Sequence, residues 1–268
     1  MTTIDSSEHF QIPIEAAEAY EAAFVPGFFA QWAPLLCDAA GVVTKQQILD
    51  VACGTGIVAR TAAQRVGADH VTGVDLNEAM LSVARRVAPD ITWRLGDAVA
   101  LPFEDGSFDA VLCQMALMFF PDRVAALREM ARVAVPGGTV ALLVPSELGA
   151  QPAYGPFVDM AARHAGSEAR SLLSAYFACG DLGLLAELFD SAGLPAPTTG
   201  THLGTARFPS VDALVSTEVE STPLGERITT GVYDQIRAGA RQVFAPFTTA
   251  GGRLEAPFEV HVAVARRP

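Results

Sequence analysis

The sequence predicts an α/β protein: a mostly parallel sheet with helices on both faces. Three observations predict it. Strand-length apolar runs alternate with helix-length runs between residues 47 and 145. Segments such as "AVLC" and "TVALLV" are apolar throughout instead of alternating, as strands buried on both faces are. A glycine pair joins the first such strand to the first helix. Strand–helix alternation of this kind implies right-handed βαβ crossovers and a parallel sheet.

The elements follow in order. Residues 10–40 read as helical, carrying Tyr20, Phe24, Phe28, Phe29 and Trp32, and are punctuated by Pro13, Pro26 and Pro34. A strand at 47–51 leads to a helix at 57–66, and a strand at 70–75 to a helix at 78–87. A short strand at 91–95 enters the loop "GDAVALPFEDGS". A strand at 108–114 leads to a helix at 122–133, then to "VPGG" and a strand at 139–144. Beyond Pro145 the pattern changes. Gly, Pro and Ser break up 146–180, which keeps short helices such as 157–164. A firmer helix at 181–192 ends at Gly193, a C-terminal glycine followed by Pro195. A strand at 202–208, a mixed helical insert over 209–250 and the closing strand "FEVHVAVARR" complete the chain.

Composition removes several functions. Half of the 268 residues are apolar, enough for a large core, yet the longest apolar run, near 110–120, falls well short of the roughly 20 residues of a bilayer span. The first fifteen residues are polar and acidic, unlike a secretory leader, so a soluble, cytoplasmic protein is expected. The formal net charge is −12 and Lys45 is the only lysine, which leaves no basic face for nucleic acid. Cys37, Cys53, Cys113 and Cys179 lack CxxC spacing. Neither disulfides nor a metal site is expected.

The stretch "ILDVACGTGIVARTAA" carries the chemistry. A phosphate-binding P-loop needs a lysine after its glycines, and this turn has none. A dinucleotide site fits G-x-G-x-x-A at Gly54–Ala59, with Asp75 where a ribose carboxylate belongs. S-adenosylmethionine fits as well. Asp50 suits the ligand's ammonium group, Asp75 suits both ribose hydroxyls because an ionised carboxylate accepts two donors well, and Asp97 with the Ala98 backbone suits the adenine edge. Three carboxylates at successive strand ends would share one crevice, at the edge where α/β sheets bind ligands.

The residues then resemble a family. "LDVACGTG" (49–56), "VTGVDLNEAMLSVAR" (71–85), "GDAVALPFEDGSFDAVLCQMALMFFPD" (96–122) and "EMARVAVPGGTVALL" (129–143) are similar to the class I, Rossmann-like S-adenosylmethionine-dependent methyltransferases. The likeness is to small-molecule enzymes of the ubiquinone and menaquinone biosynthesis type. It covers about 47–145 and fades on either side.

The resemblance implies a seven-stranded sheet with an antiparallel last strand. It implies that Ala52, Cys53, Gly54 and Gly56 line the methionine moiety, that Asp75 binds the ribose, and that Leu76 packs on the adenine with Met80 nearby. Gly96, Asp97 and Ala98 would form the adenine loop. Gln114 and Met115 would face the methionine part, and Tyr20, on a folded-over N-terminal helix, its carboxylate. Two departures stand out: Ala52 replaces a glycine of the commoner family loop, and Met118 and Phe119 stand where many relatives carry histidines.

The expected organisation is one methyltransferase domain over 1–268: a helical cap at 1–40, a cofactor core at 47–145, and lid or acceptor-pocket insertions at 146–180 and 209–250. Phe24, Phe28, Trp32, Met118 and Phe119 are the expected acceptor-pocket residues. They suggest a hydrophobic or aromatic small-molecule acceptor, methylated on oxygen, with S-adenosylhomocysteine as product. An activated methyl leaves the protein mainly to align reactants and exclude water, so no catalytic dyad is required. His164 and His202 are the candidates for a base because imidazole titrates near neutrality. His9, His70 and His261 read as surface or structural. Asp109 reads as a support for its strand. The alternative is a protein of the same fold that binds this cofactor but catalyses another reaction, or serves only as a ligand-binding regulator.

Overall fold

The computed structural model describes residues 12–220 and 223–268; His9 lies outside them. The chain groups into two compact units. One holds Met1–Val144, Leu182–Gly200 and Val262–Pro268, the other Pro145–Asp181 and Thr201–His261. The expected insertions, 146–180 and 209–250, both fall in the second.

The first unit begins with α1 (Ile14–Ala19), a π-helical stretch (Tyr20–Phe29) and α2 (Ala33–Ala39). The prolines explain the breaks. Pro13 precedes α1 and Pro34 stands in the first turn of α2, where a missing N–H costs nothing. Pro26 lies inside the π-helical stretch, whose wider spacing appears in the Ala30 N–H bond to Val25 O at 2.8 Å.

The alternation then runs β1 (Ile48–Val51), α3 (Ile57–Val66), β2 (Val71–Asp75), α4 (Glu78–Val87), β3 (Thr92–Leu95), β4 (Phe108–Gln114), α5 (Arg123–Val133) and β5 (Ala134–Pro145). β5 is longer than the sequence suggests because it includes "VPGG". There Gly137 accepts a positive φ of 76°. Later come α6 (Tyr154–Ser174), α7 (Leu182–Ser191), β6 (Thr198–Phe208), α8 (Val211–Val215), α9 (Leu224–Arg227), α10 (Thr230–Val243) and β7 (Leu254–Arg266). α6 extends far beyond the expected 157–164. Its internal Gly166, with φ 81°, breaks the helical geometry partway, which is why the sequence pattern looked fragmentary.

The seven strands are ordered β3-β2-β1-β4-β5-β7-β6. β1 pairs in parallel with β2 and β4, β2 with β3, and β4 with β5. β7 is antiparallel: Arg267 donates its N–H to Gly138 O, and Gly137 donates its N–H to Arg267 O. The chain order reverses on either side of β1 and β4, and such a switch point opens a crevice at the carboxyl ends of the strands. Every residue of β1 is buried, as are six of the seven in β4. The exception, Asp109, accepts the Gln47 N–H at 2.7 Å and so supports its strand. All four cysteines are buried, and none forms a disulfide. No single helix among the described residues is long and apolar enough to cross a membrane.

Candidate functional site

The crevice is built on the turn after β1. Ala52 leaves the strand with φ 54°, and Cys53 donates its N–H to Val74 O at 3.0 Å, which pins the turn to β2. Left-handed backbone at alanine costs roughly 1–2 kcal/mol, so the turn holds its shape against local preference. Met115, at the end of β4, shares this geometry with φ 56°. Two strained non-glycine residues therefore stand at the ends of adjacent strands, and such strain collects at ligand sites.

Gly56 has a different reason to be glycine. Its φ is 88°, and a Cβ there would lie 2.2 Å from the Trp93 ring. A Cβ on Gly73 would meet the same ring at 2.4 Å. Trp93 fills the space under the turn, and its indole N–H is spent on Ala88 O at 2.9 Å. The sequence reading missed this residue, because nothing in the sequence records which glycines its ring faces. A Cβ at Gly54 would have only the Tyr20 ring and hydroxyl near it, at 3.9 Å. That side of the turn can be approached.

The carboxylates differ in role. Asp50 is 1% exposed and its Oδ2 accepts the Ala59 N–H at 2.9 Å, tying β1 to the first turn of α3. Burial pushes its carboxyl up to about 8; the Ala59 bond opposes the shift and the Asp75 carboxylate adds to it. Asp75 accepts the Gly54 N–H at 2.7 Å through Oδ2 and the Asn77 N–H at 2.8 Å through Oδ1. Burial raises Asp75 as well, against the Asn77, Gly54 and Leu76 N–H groups. A carboxylate offers about four lone-pair sites, so with three N–H groups on it Asp75 keeps capacity for about one further donor. Asn77, which the sequence reading passed over, also caps α4 through the Met80 N–H.

The remaining predicted residues are placed as follows. Leu76 and Met80 are half-buried beside Asp75. Gly96 donates its N–H to Asp75 O at 3.0 Å. Asp97 accepts the Val99 N–H at 3.1 Å, folding the loop that holds buried Ala98. Burial, with the Asp75 and Asp50 carboxylates, raises the Cys53 thiol well above its ordinary range, so it stays protonated. Burial and the Asp75 carboxylate raise Tyr20 in the same direction, which keeps its hydroxyl a neutral donor. Its ring lies 5.0 Å from Phe29 and 6.0 Å from Phe24. Gln114 donates to Phe29 O at 3.2 Å and so fastens the end of β4 to the π-helical stretch.

Gln114 Oε1, the Trp32 indole N–H and the Thr55 hydroxyl are buried with no hydrogen-bond partner among the described residues. Phe28, Trp32 and Met118 are buried, Phe24 is half-buried, and Phe119 is 40% exposed. His164 and His202 lie in the second unit and are exposed. His261 is buried, 2.9 Å from Thr201 Oγ1. His70 bonds to Gln47.

The crevice suits a cation. A buried carboxyl group, Asp50, and a half-buried one, Asp75, stand against one turn; burial and the Asp75 carboxylate raise Asp50, and only one N–H opposes them. A cationic ligand would relieve that arrangement, whereas a pyrophosphate would aggravate it.

Comparison with known proteins agrees with this geometry. Residues 48–138 match the family described as "Methyltransferase domain". The chain is 44% identical over 127 residues to a demethylmenaquinone methyltransferase of Renibacterium salmoninarum, a match covering 47% of this chain and 51% of that protein. The chain thus spans about half the length of the curated relatives it matches. Among solved structures, phosphoethanolamine N-methyltransferase 2 of Haemonchus contortus, in complex with S-adenosyl-L-methionine, aligns with a TM-score of 0.62 at 20% identity. That alignment covers 99% of this chain and 60% of the other. The [4+2]-cyclase SpnF shares the fold at a TM-score of 0.52 and 19% identity, over 89% of this chain and 81% of the other. The resemblance of the segment 48–138 to class I methyltransferases stands, with the fold it implies.

Proposed function

Proceeding from the methyltransferase domain at 48–138, we propose that this protein is an S-adenosylmethionine-dependent methyltransferase acting on a hydrophobic or aromatic small molecule. The observation that carries the reading is the pair of carboxyl groups at a glycine turn, Asp50 buried and raised by the neighbouring half-buried Asp75. Asp75 would accept the two ribose hydroxyls, sharing its oxygens with the Gly54, Asn77 and Leu76 N–H groups it already holds. Asp50, beneath the turn, would supply the negative field for the ammonium and sulfonium charges. Asp97 and Ala98 would meet the adenine edge. Gln114, Met115, Gly54 and the Tyr20 hydroxyl would line the methionine end, with Gln114 Oε1 free to accept from the ammonium group.

S-adenosylmethionine, when bound, supplies an electrophilic methyl group and leaves as S-adenosylhomocysteine. The protein's part is alignment and exclusion of water, for which Phe24, Phe28, Trp32 and Met118 are suited. Oxygen of a phenol is the acceptor we favour, since such a group needs little help from a base. Ring carbon is the second reading, because the curated relatives are named for demethylmenaquinone.

The test is calorimetric titration with S-adenosylmethionine, S-adenosylhomocysteine and NAD. We expect the first two to bind and NAD not to; NAD binding alone would overturn the reading. Mass spectrometry of products from hydroxylated naphthalenes then separates methyl ethers from ring methylation. Cofactor binding without any transfer would favour the alternative of another reaction, or of ligand binding alone.

A further inference from the structure

Buried side-chain atoms without partners gather at one edge of the first unit. Trp32 Nε1, Thr55 Oγ1, Gln114 Oε1 and Arg123 Nε have no hydrogen-bond partner among the described residues. Thr55 follows β1 and Gln114 ends β4. Trp32 donates its main-chain N–H to Phe29 O, the carbonyl that Gln114 also holds. Arg123 opens α5 and donates through Nη2 to Met118 O at 3.2 Å, just beyond β4. Buried polar groups are paired in the great majority of cases. A run of unpaired ones at the carboxyl ends of adjacent strands therefore marks where a ligand completes them.

Thr55 and Gln114 lie beside the proposed cofactor. Arg123 lies instead with Met118 and Phe119, two of the residues expected to meet the acceptor. The half-buried arginines among the described residues are Arg60, Arg65, Arg132, Arg237, Arg267 and Arg123. The first four pair with carboxylates, and Arg267 gives Nη1 to the carbonyls of Arg132 and Ala134. Arginine has five N–H donors, and Arg123 gives only one of them to the described protein. Its neighbour Asp122 is turned away from it. That carboxylate caps α5 by accepting the Ala125 N–H at 2.8 Å. Holding one carbonyl calls for a single neutral donor, whereas a half-buried guanidinium without a counter-charge costs free energy.

We propose that Arg123 is the anchor for a carboxylate carried by the methyl acceptor, which makes the acceptor an aromatic acid. The inference rests on the reading of an aromatic acceptor and adds the charge that would select it. A guanidinium fork matches the two oxygens of a carboxylate and gives charge-assisted bonds to both. Phe119, 40% exposed on the turn that holds Arg123, offers the ring of such an acid an apolar face. In a chain of net charge −12, an unpaired guanidinium also supplies the local attraction that the overall field denies to an anion.

The experiment uses the full chain and two probes of one shape, 2-naphthoate and the neutral 2-naphthamide, titrated calorimetrically at neutral pH. S-adenosylmethionine binding is measured alongside, as is methyl transfer to hydroxylated naphthoates and to 2-naphthol. Wild type should prefer the naphthoate by roughly tenfold or more, as hydrogen bonds between charged groups imply. Arg123→Gln can still hold Met118 O. It should reduce the preference to below about threefold and leave the affinity for naphthamide unchanged. Arg123→Lys, which keeps the charge and loses the fork, should fall between the two.

No preference in wild type, no binding of either probe, or a preference that survives Arg123→Gln would overturn the proposal. Should the glutamine variant not fold, a lysine variant indistinguishable from wild type would overturn it as well. Naphthoate selectivity that depends on Arg123, in a protein that neither binds the cofactor nor transfers methyl, would sink the methyltransferase reading and leave this anchor standing. Methyl transfer to 2-naphthol, with no preference for the acid, would do the reverse.

Discussion

Asp50 and Glu218 are both carboxyl groups pushed up by burial, one in each unit, and they were not equally visible. Asp50 lies at the end of a strand, six residues before Gly56, in a segment where strand, turn and helix follow one another at fixed spacing. Glu218 lies on an irregular turn among short helices, and its partner Tyr154 is 64 positions away in sequence. The difference teaches where local pattern stops. A βαβ unit makes a site from residues adjacent in sequence, because strand ends and helix starts are covalently joined. The contact of Glu218 with Tyr154 draws on residues that only packing brings together.

The comparison can be broken at the glycine turn first. Gly56→Ala would place a methyl group 2.2 Å from the Trp93 ring in left-handed backbone. A loss of about 3 kcal/mol or more is expected in urea unfolding, from overpacking and backbone strain together. Trp93→Leu in the same chain should restore part of it. Absence of that rescue would mean the loss comes from the left-handed backbone at φ 88° and not from the Trp93 ring.

Asp75→Ala comes next. It removes the acceptor of the Gly54 and Asn77 N–H groups and, on our reading, two ribose bonds. Affinity for S-adenosylmethionine should fall by about a hundredfold or more in calorimetry, since bonds to a charged group are worth about 1.5–3 kcal/mol each. A loss of less than tenfold would remove Asp75 from the site.

The pH response of Asp50 sharpens the contrast between ligand and fold. Its folded value of about 8 lies above its ordinary 3.8, so the folded protein retains a proton that the unfolded chain has released. The stability this contributes is fully present below the unfolded value and is lost as the pH rises through about 8. Cofactor affinity should move oppositely. A cation favours the ionised carboxylate, so binding should strengthen by up to about tenfold per pH unit between 6 and 8. Asp50→Asn should flatten both trends, as measured by unfolding and titration across that range. Parallel trends would contradict the assignment of Asp50 to the cation.

The smallest effect belongs to Ala52. Glycine at φ 54° relieves roughly 1–2 kcal/mol of strain but costs about 0.4–1 kcal/mol through the freer unfolded chain. Ala52→Gly should therefore change stability by no more than about 1.6 kcal/mol, upward if at all. A clear destabilisation would show that the alanine methyl packs against something the turn needs.

The sequence by itself determined the alternating half of the protein. The bounds of α3, α4 and β4 were legible to the residue because apolar periodicity, N-cap chemistry and glycine turns act over a few positions. The antiparallel last strand and the carboxylates at the strand ends were also legible, through resemblance or through spacing. The length of α6 was not, because a glycine and several polar residues interrupt its pattern while packing holds the helix together. Nor was the exposure of His164 and His202, since an imidazole's surroundings are set by distant chain.

Only the tertiary structure decided that Gly56 makes room for Trp93, that Asp50 is tied to Ala59 beneath the turn, and that Tyr154 meets Glu218. Each is a contact between segments whose sequences carry no record of one another. Packing density and the cost of burying charge chose them, and those forces act through space, not along the chain.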